Sequence, residues 1–236
     1  MNAVVKQSTK VARLRAAQRP AASAASGATP LSPLLAAVHD PAGARTEALR
    51  ELRSQLILRW FGDCRTLAVL GARSGDAAGI VAANLAVVMA QLGEQTLLID
   101  ADLREPRQHE LFGLTPKVGL SDLLQNRDVH DEALLPVPGV ENLHVLCAGA
   151  VPQNPQELVS RTPFIYLMKT LPERFRAVIV ATPPALAYAD AQMIAARAHG
   201  CLLVTRRHRT RLADVVAVKS RLEPGHTVLL GGVIQA

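Results

Sequence analysis

The sequence predicts an α/β fold: a doubly wound, mainly parallel sheet flanked by helices, with a disordered N-terminal tail. Short runs of Val, Leu and Ile recur with helical stretches between them, which is the pattern of βαβ crossovers. Hydrophobic residues fill 49% of the 236 positions and aromatic residues only 3%, so the core is aliphatic, as in parallel sheets covered on both faces. A chain of this length can bury one sizeable core and still carry a tail.

The tail is expected over residues 1–40 and the folded domain over 41–236. "RPAASAASGATPLSP" is rich in Ala, Ser, Pro and Gly and cannot supply a core. Within residues 1–39, Lys6, Lys10, Arg13, Arg15 and Arg19 stand without an acid, so this stretch holds five of the net charge of +6 and the remainder is close to neutral. That distribution argues against nucleic acid as a partner of the domain. The arm itself fits either solvent or peripheral contact with anionic lipid or an acidic partner. It lacks the apolar stretch of a secretory signal, and no run of about 18 apolar residues marks a membrane span. Cys64, Cys147 and Cys201 show no CxxC spacing, so neither zinc nor a disulfide framework is expected, and a cytoplasmic location fits.

Within the domain, a helix is expected from about 44 to 60, then the strand "TLAVLG" (66–71), a glycine-containing loop, and a helix from about 80 to 92. Strands follow at "QTLLID" (95–100), 142–149, 177–182, 200–205 and 227–234, with helical segments near 156–171, 189–198 and 210–222. In such a sheet, ligands bind beyond the carboxyl ends of the strands. Three loops lie there: 71–79, 100–107 and 181–190.

These loops carry a resemblance. "LLIDADLREPRQHELFGL" (97–114) followed by "GLSDLL" (119–124) resembles the second acidic motif of the bacterial tyrosine kinases of exopolysaccharide and capsule synthesis, in which a strand ends in Asp-x-Asp-x-Arg. "EALRELRSQL" (47–56) is similar to that family's Glu-x-x-Arg-x-x-Arg helix at Glu47, Arg50 and Arg53. "AANLA" (82–86), "AGAVPQNPQELVSR" (148–161) and "VIVATPPALAYADAQMIA" (178–195) match further family segments in the same order. The resemblance implies a P-loop NTPase-like domain related to septum-site and plasmid-partition ATPases, paired with a membrane chain-length regulator.

Aligned on "AANLA", the family's Pro-Gly-Glu-Gly-Lys-Ser-Thr falls on Ser74, Gly75, Asp76, Ala77, Ala78, Gly79 and Ile80. The lysine that would reach the β- and γ-phosphates is Ala78, and the hydroxyl that would hold magnesium is Gly79. The Walker B aspartate expected before Thr182 and Pro183 is Ala181. The resemblance therefore implies a degenerate member with no catalytic residue expected, Asp100, Asp102 and Arg104 being remnants. No cofactor is expected, ATP or ADP with Mg²⁺ binding only weakly if the loop still binds.

Several residues keep two readings. In the family Asp100 and Asp102 would serve magnesium and the attacking tyrosine; alternatively Asp100 caps the following turn while Asp102 pairs with Arg104 or Arg107. Arg73 stands where partition-type ATPases carry a second loop lysine, and otherwise reads as a solvated arginine. The run "TRRHRTR" (205–211) is either a solvated loop or a site for an acidic partner or phosphate. Glu47, Arg50 and Arg53 share one helix face, implying pairing with a neighbouring subunit in a homo-oligomer, or with a membrane chain-length determinant or active kinase paralogue. The alternatives of an active kinase with non-standard residues, and of a partition-type ATPase, stay open.

Overall fold

The computed structural model describes residues 30–62, 64–125 and 131–235. Two helices open the chain, Ala36–His39 (α1) and Ala44–Arg59 (α2), followed by strand Thr66–Gly71 (β1), helix Ala78–Gln91 (α3) and strand Thr96–Asp100 (β2). Short helices Gln108–Leu111 (α4) and Leu120–Leu124 (α5) precede strands Leu134–Pro136 (β3) and Leu143–Leu146 (β4). Helices Pro155–Ser160 (α6) and Thr162–Arg174 (α7), strand Ala177–Ala181 (β5), helix Asp190–Ala198 (α8), strand Gly200–Arg206 (β6), helix Leu212–Leu222 (α9) and strand Val228–Gln235 (β7) complete it.

The seven strands lie in the order β3-β4-β2-β5-β1-β6-β7. β3 runs antiparallel to β4 at one edge, and every other pairing is parallel. β1, β2 and β5 are buried at every residue, which explains why they read as unbroken apolar runs rather than alternating ones.

α3 reads "AGIVAANLAVVMAQ" and is buried continuously from Val81 to Ala90. A helix apolar on all sides needs cover on all sides. The sheet covers one side, and α1 and α2 pack on it from the other. The opposite face of the sheet carries α5 to α9, with Leu120, Leu158, Phe164, Leu167, Ile194 and Val218 in its core.

The tail expected over 1–40 needs correction at its end, because residues 31–39 are packed onto the domain. Leu35 and Ala37 are fully buried. Ser32 N donates to Leu111 O (2.9 Å), and Asn84 on α3 accepts from Ala37 N (3.1 Å) while donating to Leu34 O (3.0 Å) and Ile80 O (2.9 Å). Gln91 Nε2 adds a bond to Ala37 O at 2.9 Å. Two apolar side chains and these backbone bonds outweigh the composition signal. The rest of the expected tail, residues 1–29, lies outside the described residues.

Elsewhere the helix expected near 156–171 is two helices. Arg161 is extended (φ −82°, ψ 162°), and Pro163 has no N–H to continue the ladder to Val159. α3 begins at Ala78 rather than near 80.

Candidate functional site

Parallel register brings the three predicted loops together. Ala181 is paired with Val69 on one side and Asp100 on the other, so β1, β2 and β5 end side by side. Cross-bonds tie their exits: Ala101 N to Ala181 O (2.9 Å), Ala185 N to Gly71 O (2.8 Å) and Leu186 N to Ala72 O (3.0 Å).

The first loop is wound around Asp76, whose carboxylate is buried. Its Oδ2 accepts from Arg73 N (2.8 Å) and its Oδ1 from Thr210 Oγ1 (2.7 Å), so the loop is held from within and from the segment before α9. Two residues take left-handed backbone, Gly75 (φ 94°) and Ala77 (φ 62°, ψ 25°). Glycine does so freely, whereas alanine pays about 1 kcal/mol or more through its Cβ. Ala77 thus keeps the turn that aims the α3 N-terminus across the sheet end. Ser74 is exposed, Ala78 is buried, and Ile80 is half-buried at the first turn.

Gly79 leaves room for a neighbour. Gln108 Nε2 donates to Gly79 O at 3.1 Å, and a Cβ added at position 79 would stand 3.2 Å from that nitrogen. Gln108 is itself buried and its Oε1 has no partner among the described residues.

The second loop begins at Asp100, fully enclosed at the end of β2. It accepts from Gln108 N (2.9 Å), Arg107 N (3.0 Å) and Asp102 N (3.3 Å). Burial pushes its carboxyl up to about 7, against the opposing pull of those amides. Asp102 also sits above the ordinary carboxylate range because it is desolvated. It does not pair with the side chain of Arg104 or Arg107. Its Oδ1 accepts the backbone N–H of Arg104 (3.2 Å) and Glu105 (3.1 Å), closing a turn. Arg104 reaches instead to buried Asp190 (2.8 and 3.3 Å), with its guanidinium 4.1 Å from the Tyr188 ring centroid.

The third loop offers no carboxylate at its start: Ala181 is apolar and buried, Thr182 Oγ1 donates to Val69 O (3.2 Å) or Pro183 O (3.1 Å), and Pro183 is buried. Arg73 is exposed, with its side chain 62% accessible, but it is paired as well as solvated. It makes a two-pronged bond to Asp214 at the start of α9 (2.9 and 2.8 Å), and that guanidinium holds the Asp214 carboxyl below its usual range.

On α2, Glu47 and Arg50 pair with each other at 3.1 Å. Arg53 is committed to its own domain, Nη1 donating to Val88 O (2.8 Å), and burial lowers its pKa. The three residues therefore do not form one free charged face. Asp190, Asp214, Thr210 and Gln108 were missed as parts of this site. Their partners lie 29 to 141 residues away in sequence, and only the acids at the starts of two predicted helices hinted at them.

No family model matches the chain. It is 33% identical to CapB of Staphylococcus aureus over 206 residues, covering 86% of this chain and 89% of that protein. It is also 33% identical to the tyrosine-protein kinase YwqD of Bacillus subtilis over 199 residues, 84% of each chain. The chain belongs to the bacterial tyrosine-protein kinase family. Among solved structures, the kinase domain of Escherichia coli Etk superposes with a TM-score of 0.82 at 30% identity, covering 86% of this chain and 79% of that domain. Full-length Etk is longer, and the match spans 27% of it. The P-loop NTPase-like, doubly wound sheet is thus the family's kinase-domain fold. No helix among the described residues is long and apolar enough to cross a membrane.

Proposed function

We propose that this member of the kinase family does not carry out ATP-driven phosphotransfer, and that it works as a cytoplasmic interaction and regulatory subunit in exopolysaccharide or capsule biosynthesis. In this reading it assembles with itself, with a membrane chain-length determinant or with an active kinase paralogue, and adjusts polymerisation, chain length or export. One observation carries it: at the converging strand ends, positions 78, 79 and 181 offer methyl groups or hydrogen where a triphosphate and its magnesium need a cation, a hydroxyl and a carboxylate. The polar groups that remain are turned inward. Asp76 and Asp100 accept backbone and threonine donors, Asp102 closes a turn, and Gln108 stands over Gly79. These residues do not fit a magnesium-bound triphosphate in the manner of a P-loop kinase. Free N–H groups at the α3 N-terminus support at most weak binding of ATP or ADP.

Isothermal titration of the purified chain with Mg-ATP tests this reading. Weak or absent binding is expected, together with no transfer to tyrosines of a co-expressed membrane partner. Low-micromolar, magnesium-dependent binding, or such transfer, would overturn it. Joint replacement Ala78→Lys, Gly79→Ser and Ala181→Asp should recover some binding, with the end of the Gln108 side chain shifting slightly to admit the side chain at 79.

A further inference from the structure

The segment between β6 and the end of α9 concentrates charge and exposed apolar surface on one part of the molecule. Arg206, Arg207, Arg209, Arg211, Lys219 and Arg221 lie within residues 205–222 against a single acid, Asp214. Asp214 is buried and already neutralised by Arg73. The loop is shaped rather than loose. Arg206 N donates to Thr210 Oγ1 (2.8 Å), Arg207 N to Gln235 O (2.8 Å), and His208 takes left-handed backbone (φ 61°). The side chains of Arg207, Arg209 and Arg211 are exposed and make no hydrogen bond or ion pair among the described residues. Beside them the outward face of the first two turns of α9 is apolar: Leu212 is 78% exposed and Val216, one turn on, 57%, with Ala213 and Ala217 exposed next to them. Asp214, Val218 and Leu222 form the buried face, so the first two turns of the helix are apolar on their outer side, and Lys219 and Ser220 continue that face beyond them.

We infer that the 206–211 loop and the outer face of α9 form a docking surface for an anionic phospholipid bilayer. Charge complementarity selects a negative partner: three exposed arginines, of which only Arg211 feels a nearby acid, Asp214, already bonded to Arg73, favour a surface carrying many anions. Leucine and valine standing among the cations select one that also accepts apolar side chains, as the boundary between headgroups and acyl chains does. An acidic peptide would need walls to bury its own side chains, and this face is one side of a single exposed helix. The inference stands whether or not the nucleotide site is active.

The test is sedimentation of the full chain with phosphatidylcholine vesicles with and without phosphatidylglycerol. Binding is expected only to the anionic vesicles, and added salt should weaken it. Each arginine near the surface contributes about a five-fold gain, so Arg207→Ala/Arg209→Ala/Arg211→Ala should bind about a hundred-fold more weakly. Leu212→Ser/Val216→Ser should bind about ten-fold more weakly while keeping the salt dependence. All variants share the same first 29 residues, so any contribution of that basic stretch cancels in the comparison. The substituted side chains make no bonds in the fold, and unchanged melting checks that both variants are folded. Vesicle binding equal to the parent in either variant would overturn the proposal. So would polyglutamate displacing the chain from vesicles with the Leu212 and Val216 replacements without effect, which would identify an acidic polypeptide as the partner.

Discussion

Replacing Asp100 by Asn removes a carboxylate that the fold encloses completely while keeping its shape. The carboxyl is raised from 3.8 to about 7, chiefly by desolvation. The gap is about three pKa units, and at about 1.4 kcal/mol per unit it sets a ceiling near 4 kcal/mol on the cost of ionising the group in the folded state. The sign follows from which state holds the proton more tightly. Here it is the folded one, so the contribution to stability is complete below about pH 4, declines as pH rises towards 7, and is flat above. Asparagine cannot ionise, and its amide group loses the acceptor for Asp102 N, which costs about 1 kcal/mol. Urea denaturation between pH 4 and 9 should therefore show Asp100→Asn slightly less stable than the parent at the acid end and more stable by a few kcal/mol above pH 7. Parallel stability curves for the two proteins across that range would refute the reasoning, because they would mean that the carboxylate is already solvated or charge-compensated.

Ala77→Gly should raise stability by about 0.5–1 kcal/mol, seen as a melting point higher by about 2 °C, since relief of left-handed strain outweighs the added freedom of the unfolded chain. An unchanged or lower melting point would mean that the loop relaxes at Ala77. Asn84→Ala strips partners from Ala37 N and Leu34 O and should cost about 2–4 kcal/mol. In the same melting experiment, a chain starting at Pro30 should match the full chain, whereas one starting at Pro41 should melt lower because Leu35 leaves the core.

The alternation of strands and helices and the convergence of three loops were legible because aliphatic runs and their spacing report burial directly, whereas the order of strands in the sheet and the short edge strand β3, whose three residues are only half-buried or exposed, were not. The same logic failed at residues 31–39, where two buried side chains sit inside a composition that suggests disorder. Individual roles at the site were less accessible. Arg73 and Asp214 are 141 residues apart, and nothing local says that one neutralises the other. Glu47, Arg50 and Arg53 have the helical spacing of a shared face, yet the long arginine side chain of Arg53 bends to a carbonyl of α3, a choice that depends on what lies beneath α2. The reading of Asp102 as a partner of Arg104 found the right residue and the wrong atoms, because a short carboxylate satisfies nearby backbone before it reaches a side chain.

The enclosure of α3 between the sheet and the two opening helices bears on how such a lineage can diverge. A helix packed on every side owes its position to its neighbours, so nothing about its placement depends on what its first turn binds. Residues 77–79 can then be exchanged, singly or together, while the scaffold that presents them stays in register. Descendants of one ancestor could part ways at this loop, one retaining phosphoryl chemistry and another only the shape that partners recognise, without either having to rebuild its interior.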